Sequence, residues 1–273
     1  MNLVCVVSDE KYDLHASKLV GSILVSNDID VVHVSLKEGV VHQPSFAIDE
    51  DSRLHKIEIP HINGTSEEKR VYSAVCRFAV AKELLEANPA ISCLMYIDAD
   101  SVVRRQLKPL VEMFLKSDAS IGLRVRKGSH PYLSGVLILG QASKPFLNAI
   151  TIALSAADHV WGQDQTELAN VISHHPEFKI FVLDPTLVGW ELSRTLVVYS
   201  AKGIDRRRSP EFMFESWALP LLINFPLLMR RPIRSVIFSI SGLLHVLRIR
   251  ERYFIFKSKI AELKNSIDSS ISK

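Results

Sequence analysis

The sequence predicts an α/β fold: a mostly parallel sheet flanked by helices on both faces. Three observations predict it. Short apolar or β-branched runs alternate with helix-spaced runs through residues 1–201, the pattern of strand–helix–strand units. Runs such as "LVCVV" and "CLMYI" are apolar at every position, as strands covered on both faces must be. Finally, 273 residues with 47% hydrophobic and 23% charged content can bury a substantial core and are not disordered.

Each element follows in order. "LVCVV" (3–7) is a strand ended by Ser8 and Asp9, "HASKLVGSILVS" (15–26) has helical spacing, and "DVVHVSL" (30–36) is β-branched. "LHKIEIP" (54–60) is a strand closed by Pro60. "SEEKRVYSAVCRFAVAKELLEA" (66–87) is the clearest helix, with Ser66 as expected N-cap and Lys69 where a capping-box glutamate would stand. "CLMYI" (93–97) leads to Asp98 and Asp100. Further strands are expected at 120–125, 135–139 and 179–184, and helices near 144–157 and 164–173. His174 and His175 fall at the solvated end of the last helix. In parallel sheets ligands bind beyond the carboxyl ends of the strands, and Asp9, Asp98 and Asp100 all fall there.

Charge divides the chain. From residue 202 onward there are 14 Lys/Arg against 6 Asp/Glu, so the net +3 of the whole chain hides an acidic body and a basic end. Residues 1–208 are expected to form one domain and 209–273 a helical, basic, apolar tail. Its longest uncharged run, Ser235 to Leu247, has 13 residues, below the roughly 20 that span a bilayer. A helix lying on an anionic membrane surface is expected, with a packed helical hairpin as the alternative. Cys5, Cys76 and Cys93 are odd in number and sit in apolar runs without metal-ligand spacing, so buried, reduced thiols and a cytoplasmic location are expected. No basic leader precedes the first acids, and no nucleic-acid partner is expected.

"LMYIDADSVV" (94–103) carries the chemistry. Two carboxylates at i and i+2 beside a tight bend can grip one hard divalent cation, Mn²⁺ or Mg²⁺, which takes oxygen ligands and shares them with substrate phosphates. A plain turn after a strand is the competing reading.

Five stretches agree, in order, with one family. "SDEKY" (8–12), "VYSAVCRFAVAKELL" (71–85), "LMYIDADSVVRRQLKPL" (94–110), "YLSGVLIL" (132–139) and "WGQDQTELAN" (161–170) resemble the motifs of glycosyltransferase family eight, the glycogenin and lipopolysaccharide galactosyltransferase group. The resemblance covers about residues 1–205. It implies a Rossmann-like, GT-A type nucleotide-diphospho-sugar transferase fold with a helical C-terminal extension, and a metal-dependent, retaining hexosyltransferase that uses a UDP-sugar. It further implies that Asp9 and Tyr12 bind uridine and that Asp98 and Asp100 hold the metal. Asp164, Gln165 and Arg77 would orient the sugar, and Lys202 would add positive charge at the diphosphate. A glycan or lipid-linked saccharide would be the acceptor. Two departures stand out: Leu133 replaces the family's Asn, and "VVYSAKGIDRRR" (197–208) lacks the family's late metal-binding His, leaving the third metal ligand unassigned.

Other readings stay open from the residues alone. "YIDADSV" also matches the opening motif of haloacid-dehalogenase-like phosphatases, although it lies far from the first strand and no later acidic pair follows. A sugar nucleotidyltransferase, or a non-catalytic sugar-nucleotide binder, is also compatible. Arg77 has an alternative as a helix-surface ion pair with Glu83 or another acid, and Trp161 and Trp190 fit either a platform for a sugar ring or core residues.

Overall fold

The structure is a computed structural model describing residues 1–41, 44–48, 52–157, 160–200 and 208–248. A seven-stranded sheet runs in the order β3-β2-β1-β4-β7-β6-β8, formed by β1 (Asn2–Asp9), β2 (Asp30–Lys37), β3 (Leu54–Pro60), β4 (Cys93–Ile97), β6 (Ile121–Val125), β7 (Tyr132–Leu139) and β8 (Ile180–Val182). All neighbours are parallel except at β7, which is antiparallel to both β4 and β6. The short link from β6 explains this: residues 126–131 reverse the chain, with the Arg126 amide bonded to the Pro131 carbonyl at 2.8 Å. A link that short suits a hairpin, not a parallel crossover.

The alternation of side chains along β1 builds two cores. Leu3, Cys5 and Val7 enter one apolar cluster beneath α2 (Ser66–Ala87), α4 (Lys144–Ser155) and α5 (Gln163–His174). Val4 and Val6 enter the other, beneath α1 (Asp13–Ser26) and α3 (Lys108–Lys116). Both faces are therefore dry, which is why these strands read as unbroken apolar runs. All three cysteines are free and buried.

Three features depart from expectation. The cap of α2 is Thr65, not Ser66: its hydroxyl accepts from the Glu68 amide, and the Glu68 carboxylate accepts from the Thr65 amide at 2.7 Å. A complete capping box thus exists one residue earlier. Helix α3 begins within the stretch read only as a metal motif (94–110) and continues beyond it to Lys116. A second, three-stranded sheet of β5 (Ser101–Val103), β10 (Val198–Ser200) and β9 (Val188–Gly189) was not anticipated, because strands of two or three residues carry no readable period.

The end of the described chain forms α6 (Pro210–Ala218), a 3-10 turn (Pro220–Asn224) and a helix over 227–248, here α7. Phe212, Leu219, Leu222 and Ile237 bury with Val25, Val102 and Tyr199 in a third cluster. Gly21 permits this contact, since a Cβ there would stand 2.8 Å from Pro220 Cβ. A buried ion pair, Arg104 Nε to Glu215 Oε2 at 2.8 Å, ties α6 to the segment just after β5. Among the described residues no helix is long and apolar enough to cross a membrane.

Candidate functional site

The site gathers at the carboxyl ends of β1 and β4. These strands lie side by side, with β2 and β3 on one flank and β7 on the other, so the chain progresses outward in opposite directions from their boundary. A crevice opens at such a point, beyond the strand ends.

Asp98 follows β4 directly, and its amide donates to the Gly135 carbonyl of β7 at 2.8 Å. Its Oδ1 accepts from Arg77 Nη1 and from the Tyr96 hydroxyl, both at 2.9 Å. Tyr96 and Asp98 are two residues apart, so the strand period puts them on one side. Arg77 comes from α2 and is only 6% exposed. It also donates to the carbonyls of Ala74 and Ser134, and Nη2 lies 3.9 Å from Asp164 Oδ2. Ser134 completes the ring by donating to Asp164 Oδ2 at 2.8 Å. One buried cation therefore bridges the carboxylates of two predicted motifs, and its partner is not Glu83.

Electrostatics support that arrangement. Burial opposes the Arg77 charge, yet the carboxylates of Asp98 and Asp164 outweigh it and hold its pKa above the ordinary value. Burial likewise raises the Tyr96 phenol, so it stays protonated and donates to Asp98. Asp100 lies two residues on, half-buried at the bend into β5.

A cleft of about 640 Å³ lies beside this cluster, over the ends of β1 and β2 and the first turns of α2. Asp9, Tyr12, His61, Lys69 and Arg70 are among its walls. Asp9 Oδ1 accepts from the Tyr12 amide at 3.1 Å, and Oδ2 from Ser73 at 3.4 Å. Burial lowers the pKa of His61, and its ring packs on Tyr72 at 5.5 Å.

On the other flank, Asp164 is buried in the first turn of α5, and Gln165 follows half-buried. Gly162 precedes them with φ +87°, a left-handed turn that glycine adopts without strain. Leu133 is buried and lines a small apolar cavity with Trp190 and Arg124. Lys202 lies outside the described residues.

Thus Arg77, Asp98 and Asp164 meet directly, Asp100 is adjacent in the chain, and Asp9 and Tyr12 line the neighbouring cleft. Ser134, Tyr96 and Ser73 were not singled out from the sequence, although each stands at a legible offset: Tyr96 by the strand period, Ser73 one turn before Arg77. The carboxylates of Asp98 and Asp100 are oxygen donors of the kind that Mn²⁺ or Mg²⁺ would take. Among the described residues no group of three or more His, Cys, Asp or Glu forms a fuller ligand set.

No protein-family model matches the chain, and no curated protein matches it. Solved structures do resemble it. The glycosyltransferase GlyE of Streptococcus pneumoniae TIGR4 superimposes with a TM-score of 0.53 at 13% identity, over 88% of this chain and 64% of its own. A glycosyltransferase involved in glycosylating the major capsid of PBCV-1 gives 0.51 at 14%, over 76% of this chain and 95% of its own. The bifunctional glycosyltransferase WbbM gives 0.50 at 11%, over 84% and 51%. This chain thus spans under two thirds of the length of GlyE. The fold is the GT-A type of the nucleotide-diphospho-sugar transferases.

Proposed function

We propose, from this fold and cluster, that the protein is a metal-dependent glycosyltransferase. It moves a hexose from a UDP-sugar to a hydroxyl of a glycan or glycolipid acceptor, with retention of configuration. The observation that carries this reading is the Arg77–Asp98–Asp164 cluster at the carboxyl edge of β4, beside an open cleft that Asp9 and Tyr12 line.

The cleft takes the nucleotide: Asp9 accepts from the uracil edge while Tyr12 packs on the ring. Asp98 and Asp100 would hold Mn²⁺ or Mg²⁺, which as a Lewis acid would offset charge on the departing UDP. Arg77 is a positioning residue. It is buried, so it acts through Asp98 and Asp164, fixing one carboxylate toward the diphosphate and the other toward the sugar. Asp164 and Gln165, at the start of α5, accept from and donate to the sugar hydroxyls so that C1 faces the acceptor. Preorganised polar groups of this kind need no rearrangement as charge develops. Lys202 would add a counter-charge near the diphosphate.

Residues 1–208 carry this chemistry, 209–248 brace it, and the basic, apolar tail from residue 209 on associates with a membrane surface. On α7, Leu228, Val236, Ile240, Leu243 and Leu247 are all exposed at spacings of eight, four, three and four, which is one helical stripe. Arg230, Arg231 and Arg234 flank its beginning. A lipid-linked saccharide made at the cytoplasmic face, as in cell-surface polysaccharide or lipopolysaccharide synthesis, fits that surface.

The phosphatase alternative is less well supported, because its Asp-x-Asp belongs after the first core strand and this pair follows β4. UDP release from a panel of UDP-sugars with Mn²⁺ tests the proposal. Release from one donor is expected, lost in Asp100→Ala by about 100-fold or more, on the scale of removing a preorganised transition-state contact. No release from any donor, with no metal-dependent thermal shift on adding UDP, overturns it and favours the phosphatase or the non-catalytic binder.

A further inference from the structure

Trp161 is 57% exposed, an unusual setting for the side chain with the largest apolar area. It is nonetheless held firmly. The Gln163 amide donates to the Val160 carbonyl at 3.2 Å, and Gln163 Oε1 accepts from the Val160 amide at 3.0 Å. Gly162 then turns the chain into α5. The Arg70 guanidinium lies over the indole, 3.8 Å from its centroid. Trp190 differs: it lines the small apolar cavity beneath Arg124, at 4.2 Å.

Helix geometry locates Trp161 relative to the cluster. Arg70 and Arg77 are seven residues apart, so they project from nearly one side of α2, about 10 Å apart along its axis. The segment from Trp161 to Asp164 runs alongside, with Trp161 against Arg70 and Asp164 against Arg77. Arg70 also lines the large cleft. Trp161 therefore sits at the rim, about two helical turns from the carboxylates.

We propose that Trp161 and Arg70 form the binding platform for the saccharide acceptor. A pyranose has C–H bonds on one face and hydroxyls around its edge. The indole face turned away from Arg70 attracts the first, and the guanidinium stacked on the other face holds the indole in place as a fixed platform. The inference rests on the glycosyltransferase reading and adds the side from which the acceptor hydroxyl enters.

The test uses the full chain and saturation-transfer NMR with lactose, maltose and cellobiose as probes. The wild type is expected to bind at least one. Trp161→Ala and Trp161→Leu should each weaken that Kd about ten-fold, as loss of one aromatic contact would, while Trp161→Phe stays near wild type. Absence of binding to the wild type, or equal binding by Trp161→Ala, overturns the platform. UDP-sugar consumption on the same preparations separates the two readings. Donor turnover with saccharide binding indifferent to Trp161 sinks the platform alone. Trp161-dependent binding with neither donor turnover nor UDP binding sinks the transferase reading and leaves a saccharide-binding site.

Discussion

Arg77 shows how much one side chain can organise. Its guanidinium faces two carboxylates, Asp98 and Asp164, with little water near any of the three. Removing the cation leaves both acids buried without their counter-charge, which costs far more than a surface pair. Arg77→Met should lower stability by about 3–5 kcal/mol in urea denaturation. Arg77→Lys should lose less, since it restores charge without the fork geometry. Equal, small losses for both would remove Arg77 from its bridging role. The thiols give a pH-linked expectation at the same scale. Burial pushes both Cys76 and Cys93 up to about 12. In the unfolded chain they ionise near 9, so above that pH the unfolded state loses protons that the folded state keeps. Stability is therefore full below about pH 9 and falls as pH rises toward 12. Alkaline denaturation of Cys76→Ala/Cys93→Ala should show a shallower slope across that window than the wild type; an unchanged slope refutes the linkage.

Among the elements, α2 does the most for the site. Its capping box fixes where it starts. From there one face presents Lys69 and Arg70 to the cleft, Ser73 to Asp9 and Arg77 to the cluster. A slip of one residue would turn that face away. Helix α7, unlike an ordinary surface helix, is apolar on its outer face as well as its inner one. Ile237 and Ser241 face inward, the outer stripe is leucine-rich, and Leu228 is 90% exposed. Such a stripe beside arginines suits an anionic interface. The protein should therefore co-sediment with phosphatidylserine-containing vesicles, less so as salt rises. Leu228→Glu/Leu243→Glu should abolish this without changing thermal unfolding, because both side chains are exposed. Failure of the wild type to sediment, or unaltered sedimentation of the double variant, overturns the membrane reading.

For the whole molecule, the link between sheet and C-terminal helices is the deciding feature. Arg104, four residues beyond Asp100, pairs with the fully buried Glu215 and lies 4.4 Å from the Phe238 ring of α7. Glu211, also fully buried, meets His245 and Arg248. These charges have no water to fall back on, so the helices cannot leave without large cost. A chain ending at residue 208 should lose its cooperative thermal transition, whereas one ending at residue 248 should keep it. An unchanged melting temperature for the shorter chain would show that the body folds independently.

Legibility follows range. The long strands and helices could be read because burial on both sheet faces imposes apolar runs and because helical spacing recurs within one segment. Asp9 and Asp98 could be found because each stands at the end of such a strand, whereas Asp164, at the start of a helix, was singled out through the family resemblance. Tyr96 and Ser73 were legible by period but not picked out. Thr65 was missed because Ser66 occupies an equally plausible capping position, and only the Glu68 hydrogen bonds decide between them. The partner of Arg77 was not readable at all, since 21 and 87 residues separate it from Asp98 and Asp164 and many pairings satisfy the same pattern.

By itself, the sequence determined the alternation of strands and helices, the carboxylates at strand ends and the basic, apolar end of the chain, all of them consequences of local period and charge. Only the tertiary structure decided that β7 runs against its neighbours, that Arg77 bridges Asp98 and Asp164, that Trp161 stands open at the rim while Trp190 does not, and that Glu215 reaches back to Arg104. Those pairings are set by which elements pack together, and packing is a property of the whole chain that no local window contains.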